Sequence, residues 1–456
     1  NQSLTMSDTK LLLCPEWIAT VAPGADREGQ SGVLTKHAVA ITTDGKIGEI
    51  LPVEQAMARF PNVTRLDRPG HLLTPGFINL HAHCAMTLLR GYADDLGLHS
   101  WLNDRIWPAE GRCVSDRFVH DGALLGMHEM LLGGTTLVND MYFFPEASAR
   151  AAHALGMRAS LGIMMIDFPS PYGTGPDDYL RKGAKLRDEL RDDPLISFTV
   201  SPHAPYTVSD ESFTKVRALS EELQLPIHLH VHETAFEVED ALAKHGERPI
   251  ARLDRLGLLG PHLIAVHSVH LNEQEIELFA RHKVSVAHCP HSNLKLGSGV
   301  APIADLLDSN VNFGIGTDGS ASNNQLDLLQ ETRTAALIAK GSTQNAAAFN
   351  AHQALRAMTL GGAIALGRDH ELGSIEAGKQ ADLVMIALDS PRLQPVYDPI
   401  SQLIYAARGS DVTDVFVAGN HVVHRQQMVD SSGSAAVSSV VARIPVWQNE
   451  ISDVGH

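Results

Sequence analysis

Leu73-Thr74-Pro75-Gly76-Phe77-Ile78-Asn79-Leu80-His81-Ala82-His83 is an apolar run of strand length that closes on two histidines one residue apart. Side chains alternate across a strand, so His81 and His83 emerge on the same side. Seven further runs rich in Val, Ile and Phe follow: Gly134 to Asp140, Met157 to Met165, Ile196 to Ala204, Pro226 to Glu233, Leu263 to Val269, Val284 to Pro290 and Val311 to Asp318. Helix-length segments separate most of them. Asp116 to Leu132 carries apolar residues three and four apart and stops at Gly133-Gly134, and Ser209 to Leu223 opens on a capping serine. Strand and helix in alternation predict a parallel sheet. Eight repeats predict an α/β fold, a TIM (β/α)8 barrel, with its chemistry at the C-terminal ends of the strands.

The two ends of the chain read differently. Lys10 to Pro23 and His37 to Pro52, with an Asp44-Gly45 turn, alternate like half-buried strands, as do Ala381 to Leu388 and Val412 to Val423 around Gly419-Asn420. Neither end is large enough to bury a core alone, so they are expected to join in one small β-sandwich domain formed by both termini. The expected divisions are residues 1–72 for the N-terminal part of the sandwich, 73–367 for the barrel, and 368–456 for the C-terminal part and tail. The polar opening Asn1 to Thr5 and the Ser, Ala and Val-rich tail beyond Asp430 contribute nothing to this prediction.

Composition narrows the partners. The 456 residues include 53 acidic against 36 basic ones, a formal net charge of -17, and that field repels nucleic-acid polymers and anionic membrane surfaces. No stretch reaches the roughly 18 apolar residues of a membrane span, and no signal-peptide pattern opens the chain. Four scattered cysteines, Cys14, Cys84, Cys113 and Cys289, form no framework, so reduced thiols and a cytoplasmic location are expected.

The polar residues that carry chemistry fall at the predicted strand ends, where a barrel brings them to one rim. A lone H-x-H decides little in a chain with 24 histidines. The fifth strand, however, ends His228-Leu229-His230-Val231-His232-Glu233, and the eighth ends Gly316-Thr317-Asp318. His81, His83, His230 and Asp318 thus give three imidazoles and one hard carboxylate, a set that suits one Zn2+ per chain, although Fe2+ or Mn2+ accept the same donors.

These markers, with Ser201-Pro202-His203-Ala204-Pro205-Tyr206, His267-Ser268-Val269-His270-Leu271, His288-Cys289-Pro290-His291-Ser292-Asn293 and Gly373-Ser374-Ile375-Glu376-Ala377-Gly378-Lys379, run through nearly the whole chain. Together they resemble the amidohydrolase superfamily, and within it the 5'-methylthioadenosine/S-adenosylhomocysteine deaminases and the related triazine chlorohydrolases. The resemblance implies a barrel of the amidohydrolase type. It implies hydrolytic deamination of adenine nucleosides (5'-methylthioadenosine, S-adenosylhomocysteine, adenosine) to the inosine analogue and ammonia. His81, His83, His230 and Asp318 would bind the metal, Glu233 would shuttle the proton, His267 would hold or polarise the water, and Asp318 would take the remaining proton. A bound divalent metal makes hydroxide available near neutral pH, which fits these roles. The fourth strand ends without the lysine that bridges two metals in some relatives, so one metal is expected. The resemblance also favours a homodimer or larger homo-oligomer.

For the substrate, Glu110 resembles the family's acceptor for the ribose hydroxyls, a task that suits a carboxylate. His203 resembles a substrate-side histidine and Ser322 a further contact. Arg90, Arg105 and Arg181 are available for an amino-acid tail, but spacing selects none of them. Two alternatives stay open: a triazine or other heterocycle aminohydrolase or chlorohydrolase on the same metal site, and a non-catalytic, metal-stabilised binding protein, against which Glu233 and His267 argue because a structural zinc needs neither. The cytidine-deaminase pattern is incomplete: His245-Gly246-Glu247 is present, but no P-C-x-x-C follows anywhere.

Overall fold

A computed structural model describes residues 9–24 and 32–452, so Asn1 to Thr5 lie outside the described residues. Eight strands stand in chain order in one sheet: Phe77–Ala82, Thr135–Asp140, Arg158–Met165, Ile196–Pro202, Ile227–Val231, Leu263–His267, Ser285–His288 and Phe313–Ile315. Neighbours pair in parallel. The segment after the last strand returns beside the first, where the Asp318 N–H donates to the His81 carbonyl at 2.9 Å, so the sheet curls into the expected barrel. Helices alternate with the strands. Asp116–Leu132 starts where the Ser115 hydroxyl accepts from the Phe118 N–H at 3.2 Å, and Asp210–Leu223 where Ser209 accepts from Ser212 at 3.3 Å.

The first apolar run divides between two sheets. Its opening residues end a strand, Thr64–Pro75, that belongs to the terminal sheet, and only from Phe77 does the chain enter the barrel. Gly76 is the joint. A Cβ there would lie 2.1 Å from the Thr136 hydroxyl, so the crossing between sheets has no room for a side chain.

The ends of the chain join in one domain, as expected of the sandwich, and their strands form a single second sheet. Thr9–Ala19 pairs in parallel with Thr64–Pro75 and antiparallel with His37–Thr42; Leu383–Ala387 pairs antiparallel with Thr64–Pro75, and Val412–Val417 and Asn420–His424 continue the sheet. The sheet curls on itself, because Lys46 bridges Gln380 and the Ile47 N–H donates to the Lys379 carbonyl. Leu13, Val39 and Ile47 from one end pack with Leu383 and Phe416 from the other. Barrel and sheet are tied by a buried pair, in which Arg158 donates from Nε and Nη2 to the two oxygens of Asp382 at 2.7 and 3.0 Å.

The tail forms a helix, Ser431–Ser452, that lies against the barrel helix Asp116–Leu132. Arg443 and the Trp447 indole both donate to Asp121, a buried carboxylate of that helix. The four cysteines are free and buried. Among the described residues no helix is long and apolar enough to cross a membrane.

Candidate metal and substrate site

The strand-end residues meet at one end of the barrel. His81 Nε2 lies 3.1 Å from Asp318 Oδ1 and 3.2 Å from His230 Nε2, and His83 Nε2 lies 3.2 Å from the same Asp318 oxygen. His267 Nε2 stands 3.9 Å from Asp318 Oδ2 and 3.6 Å from Glu233 Oε2. All of these except His83 are nearly inaccessible to solvent.

The far side of each ring explains why the near sides converge. His83 Nδ1 sits 2.5 Å from the Met141 carbonyl and His230 Nδ1 2.7 Å from the His203 carbonyl. A carbonyl only accepts, so both rings carry a proton on Nδ1, which leaves Nε2 as the atom each offers to the centre. Burial opposes charge on His83, but the Asp318 carboxylate outweighs it and pushes that ring up to about 9, a proton that a bound metal would displace. His81 Nδ1 packs 2.8 Å from His228 Nε2, and His267 Nδ1 2.8 Å from Asn293 Oδ1. Burial holds the imidazoles of His230 and His267 below their ordinary pKa and pushes His81 down to about 4, so these rings are neutral. Lone pairs of neutral imidazoles and a carboxylate oxygen crowded this closely repel one another unless a cation lies among them. The donor set therefore fits a divalent metal, with His81, His83, His230 and Asp318 able to hold it and His267 beside them.

His232 shares the strand parity of His228 and His230 yet does not join them. Its φ of +53° breaks the strand and swings the ring away, to 3.1 Å from the His270 carbonyl, where Nε2 also accepts the Ile250 N–H. The same turn delivers Glu233 into the site. Burial, reinforced by the neighbouring Asp318, pushes the Glu233 carboxyl up to about 8. Asp318 itself is held well below the usual carboxylate range: burial opposes ionisation, but His81 and His83 outweigh it.

From this centre a cavity of about 150 Å³ opens outward. Its polar wall includes Glu110 and His203, and its apolar wall includes Trp101, Leu102, Met164 and Phe168. Glu110 is buried; the Tyr142 hydroxyl donates to it at 2.7 Å, and burial pushes its carboxyl up to about 7. His203 Nδ1 is 2.9 Å from the Thr207 hydroxyl. Of the apolar residues between Met86 and Leu102, which follow the first barrel strand, Met86, Leu98, Trp101 and Leu102 reach the cavity, while Leu88, Leu89, Tyr92 and Leu96 pack behind it. Among the described residues lining the cavity there is no arginine or lysine. Arg90 is held by Glu129, Arg105 lies over the Tyr92 ring, and Arg181 pairs with Asp178.

Ser322 departs from expectation. Its hydroxyl donates to Asp318 Oδ2 at 3.1 Å and is not part of the cavity wall, so it backs the carboxylate where a substrate contact was expected. Ser292 donates to the same oxygen at 2.6 Å. Ser292, Asn293 and His228 were missed as functional residues, although the run His288 to Asn293 and the alternating histidines held the signal. Their roles depend on partners 26 to 147 positions away.

A model described as the amidohydrolase family matches residues 72–422. A 5-methylthioadenosine/S-adenosylhomocysteine deaminase of Saccharophagus degradans is 45% identical over 441 residues, 97% of this chain and 96% of that protein. Among solved structures, an adenosine deaminase from Xanthomonas campestris with bound zinc superimposes with a TM-score of 0.93 at 47% identity, covering 98% of this chain and 99% of the other. An atrazine chlorohydrolase of Arthrobacter aurescens complexed with zinc reaches 0.87 at 25% identity, over 95% of this chain and all of the other.

Proposed function

The chain belongs to the amidohydrolase family, and from that premise we propose that it hydrolyses the exocyclic amine of an adenine nucleoside, releasing ammonia and the inosine analogue. The observation that carries this reading is the pairing of two features at one cavity: the converged His81, His83, His230 and Asp318, of which the last three line it, and the buried Glu110 carboxylate in its wall. Zinc is the proposed ion, bound by those four residues, and when bound it lowers the pKa of water enough to supply a nucleophile near neutral pH.

The chain's own residues do the rest. Glu233 would take a proton from the water and give it to the ring nitrogen beside the attacked carbon, which makes that carbon more electrophilic; a carboxyl pushed up to about 8 by burial holds such a proton readily at neutral pH. His267, fixed by Asn293, faces both Glu233 and Asp318 and holds the attacking water between them. The water oxygen bonds to the ring carbon, the bond to the amine nitrogen breaks, and the second water proton leaves with ammonia by way of Asp318. Ser292 and Ser322 keep that carboxylate in place. Glu110 accepts from the ribose hydroxyls, and His203 borders the base.

The apolar outer wall supports an uncharged 5' substituent. A methylthio group or a plain ribose would lie against Trp101, Leu102 and Phe168, whereas an amino-acid carboxylate would find no cation on the described wall. Ammonia release from methylthioadenosine, S-adenosylhomocysteine, adenosine, adenine and a chlorotriazine, measured side by side, tests the proposal. Turnover is expected to be fastest with methylthioadenosine and slow with adenine. Release from none of the nucleosides by protein carrying its metal would overturn it, and chloride release from the triazine would redirect it.

A further inference from the structure

We propose that Glu237 is a positioning residue for Glu233, aiming the proton-carrying carboxylate without touching substrate; this rests on the reading of Glu233 given above. The fifth strand ends at Val231, so the N–H groups of His232 and Glu233 leave the sheet with no ladder acceptor while still buried. Buried amides need partners. The Glu237 carboxylate supplies both: one oxygen accepts from the His232 N–H at 2.9 Å and the other from the Glu233 N–H at 2.8 Å.

The arrangement departs from ordinary helix capping. Thr234 caps the helix Ala235–His245, accepting from the Glu237 N–H at 3.2 Å, which puts Glu237 where a capping glutamate would reach back to the Thr234 amide. Here it reaches past that amide to the two before it. Those two residues form the turn that needs restraint, because His232 is held at φ +53°, a left-handed conformation that is strained for a residue other than glycine. The Glu233 carboxylate accepts no hydrogen bond among the described residues, and the His267 ring stands 3.6 Å from it. Its aim is therefore set through its main chain, and the main chain is set by Glu237.

The test compares Glu237→Ala and Glu237→Gln with the unaltered protein, reading kcat, KM, metal per chain and the crystal structure. E237A is expected to lower kcat about 10- to 100-fold, the scale on which misplacement by about 1 Å acts, with KM and metal content little changed. E237Q, which keeps one acceptor, is expected to fall between. In a Glu233→Gln background, adding E237A is expected to change kcat little, since the group being aimed is already gone. Unchanged kcat in E237A, an equal loss in the E233Q background, or a Glu233 carboxylate unmoved relative to His267 in the E237A crystal would each overturn the inference. If E237A does not fold, normal kcat in E237Q overturns it alone. No ammonia from the unaltered protein would sink the reading of the site instead, and the crystal comparison would still decide the role of Glu237.

Discussion

Among the described residues, two clusters gather several histidines around one aspartate, Asp318 and Asp414, and of these two one has the character of a metal site. At the barrel rim, Asp318 is approached by His81 and His83 through Nε2 atoms whose opposite ring nitrogens face other partners. In the terminal sheet, Asp414 is approached by His421 Nε2 at 3.0 Å and His424 Nδ1 at 2.8 Å, equally close, but Arg68 also donates to both of its oxygens, at 2.8 and 3.0 Å. A guanidinium always carries its charge, so a dication there would face a like charge at contact distance. Ligand types and spacing are nearly the same in the two clusters; the difference lies in whether a fixed cation already answers the carboxylate.

The largest effect expected from this comparison is in metal content. Asp318→Asn or a His81→Ala, His83→Ala double variant is expected to lose both bound metal and turnover. His421→Ala with His424→Ala is expected to leave about one metal per chain and full activity. Elemental analysis beside the ammonia assay checks both. Loss of metal from the terminal-sheet variant would break the comparison.

The rim was legible in the sequence and the reasons are local. A strand has a period of two and a barrel gathers its strand ends, so His81, His83, His230 and Asp318 could be placed together without coordinates. What supports them was not legible. Ser322 sits four residues beyond Asp318, and whether its hydroxyl meets substrate or carboxylate depends on how Gly319 to Asn323 turn, which residue types leave open. The division of the first run at Gly76 was hidden because Leu73 to Pro75 are as apolar as the barrel strand that follows; only Thr136, from the next strand, fixes the joint. The helix Ser431–Ser452 contains Pro445 and many Ser residues, which mask the helical spacing of Val437, Val440, Trp447 and Ile451 on its buried face, and Asp121, more than 300 residues earlier, anchors it.

The second cluster has its own expected signature, which is stability rather than activity. Asp414 has no exposed side-chain surface, and although burial pushes its pKa up, hydrogen bonds from His421, Arg68 and His424 hold it well below the usual range. Asp414→Asn leaves Arg68 without its partner. That change is expected to cost roughly 3 kcal/mol of unfolding free energy, the low end for breaking a buried pair, since Arg68 keeps some contact with water. Because the folded pKa is depressed, the stabilisation is complete above the unfolded value of about 4 and is lost as pH falls below it. Urea unfolding of both proteins at neutral and acid pH should therefore show a gap that narrows in acid. A gap constant with pH would remove the ion pair as its cause.

Glu110 sharpens the contrast from the opposite side, as a carboxylate in the cavity with no fixed cation. Burial raises it to about 7, and the Tyr142 hydroxyl only partly offsets this. As pH falls through about 7, Glu110 takes a proton and loses acceptor capacity, so KM for a ribonucleoside is expected to rise while Asp414 remains ionised throughout. Glu110→Gln removes the charge and its titration together. Its kcat/KM for nucleosides is expected to fall about 10- to 100-fold, the worth of a hydrogen bond to a charged group, and its KM to stay flat between pH 6 and about 8. A KM that rises in acid equally in both proteins would assign the titration to another group and remove Glu110 from ribose recognition.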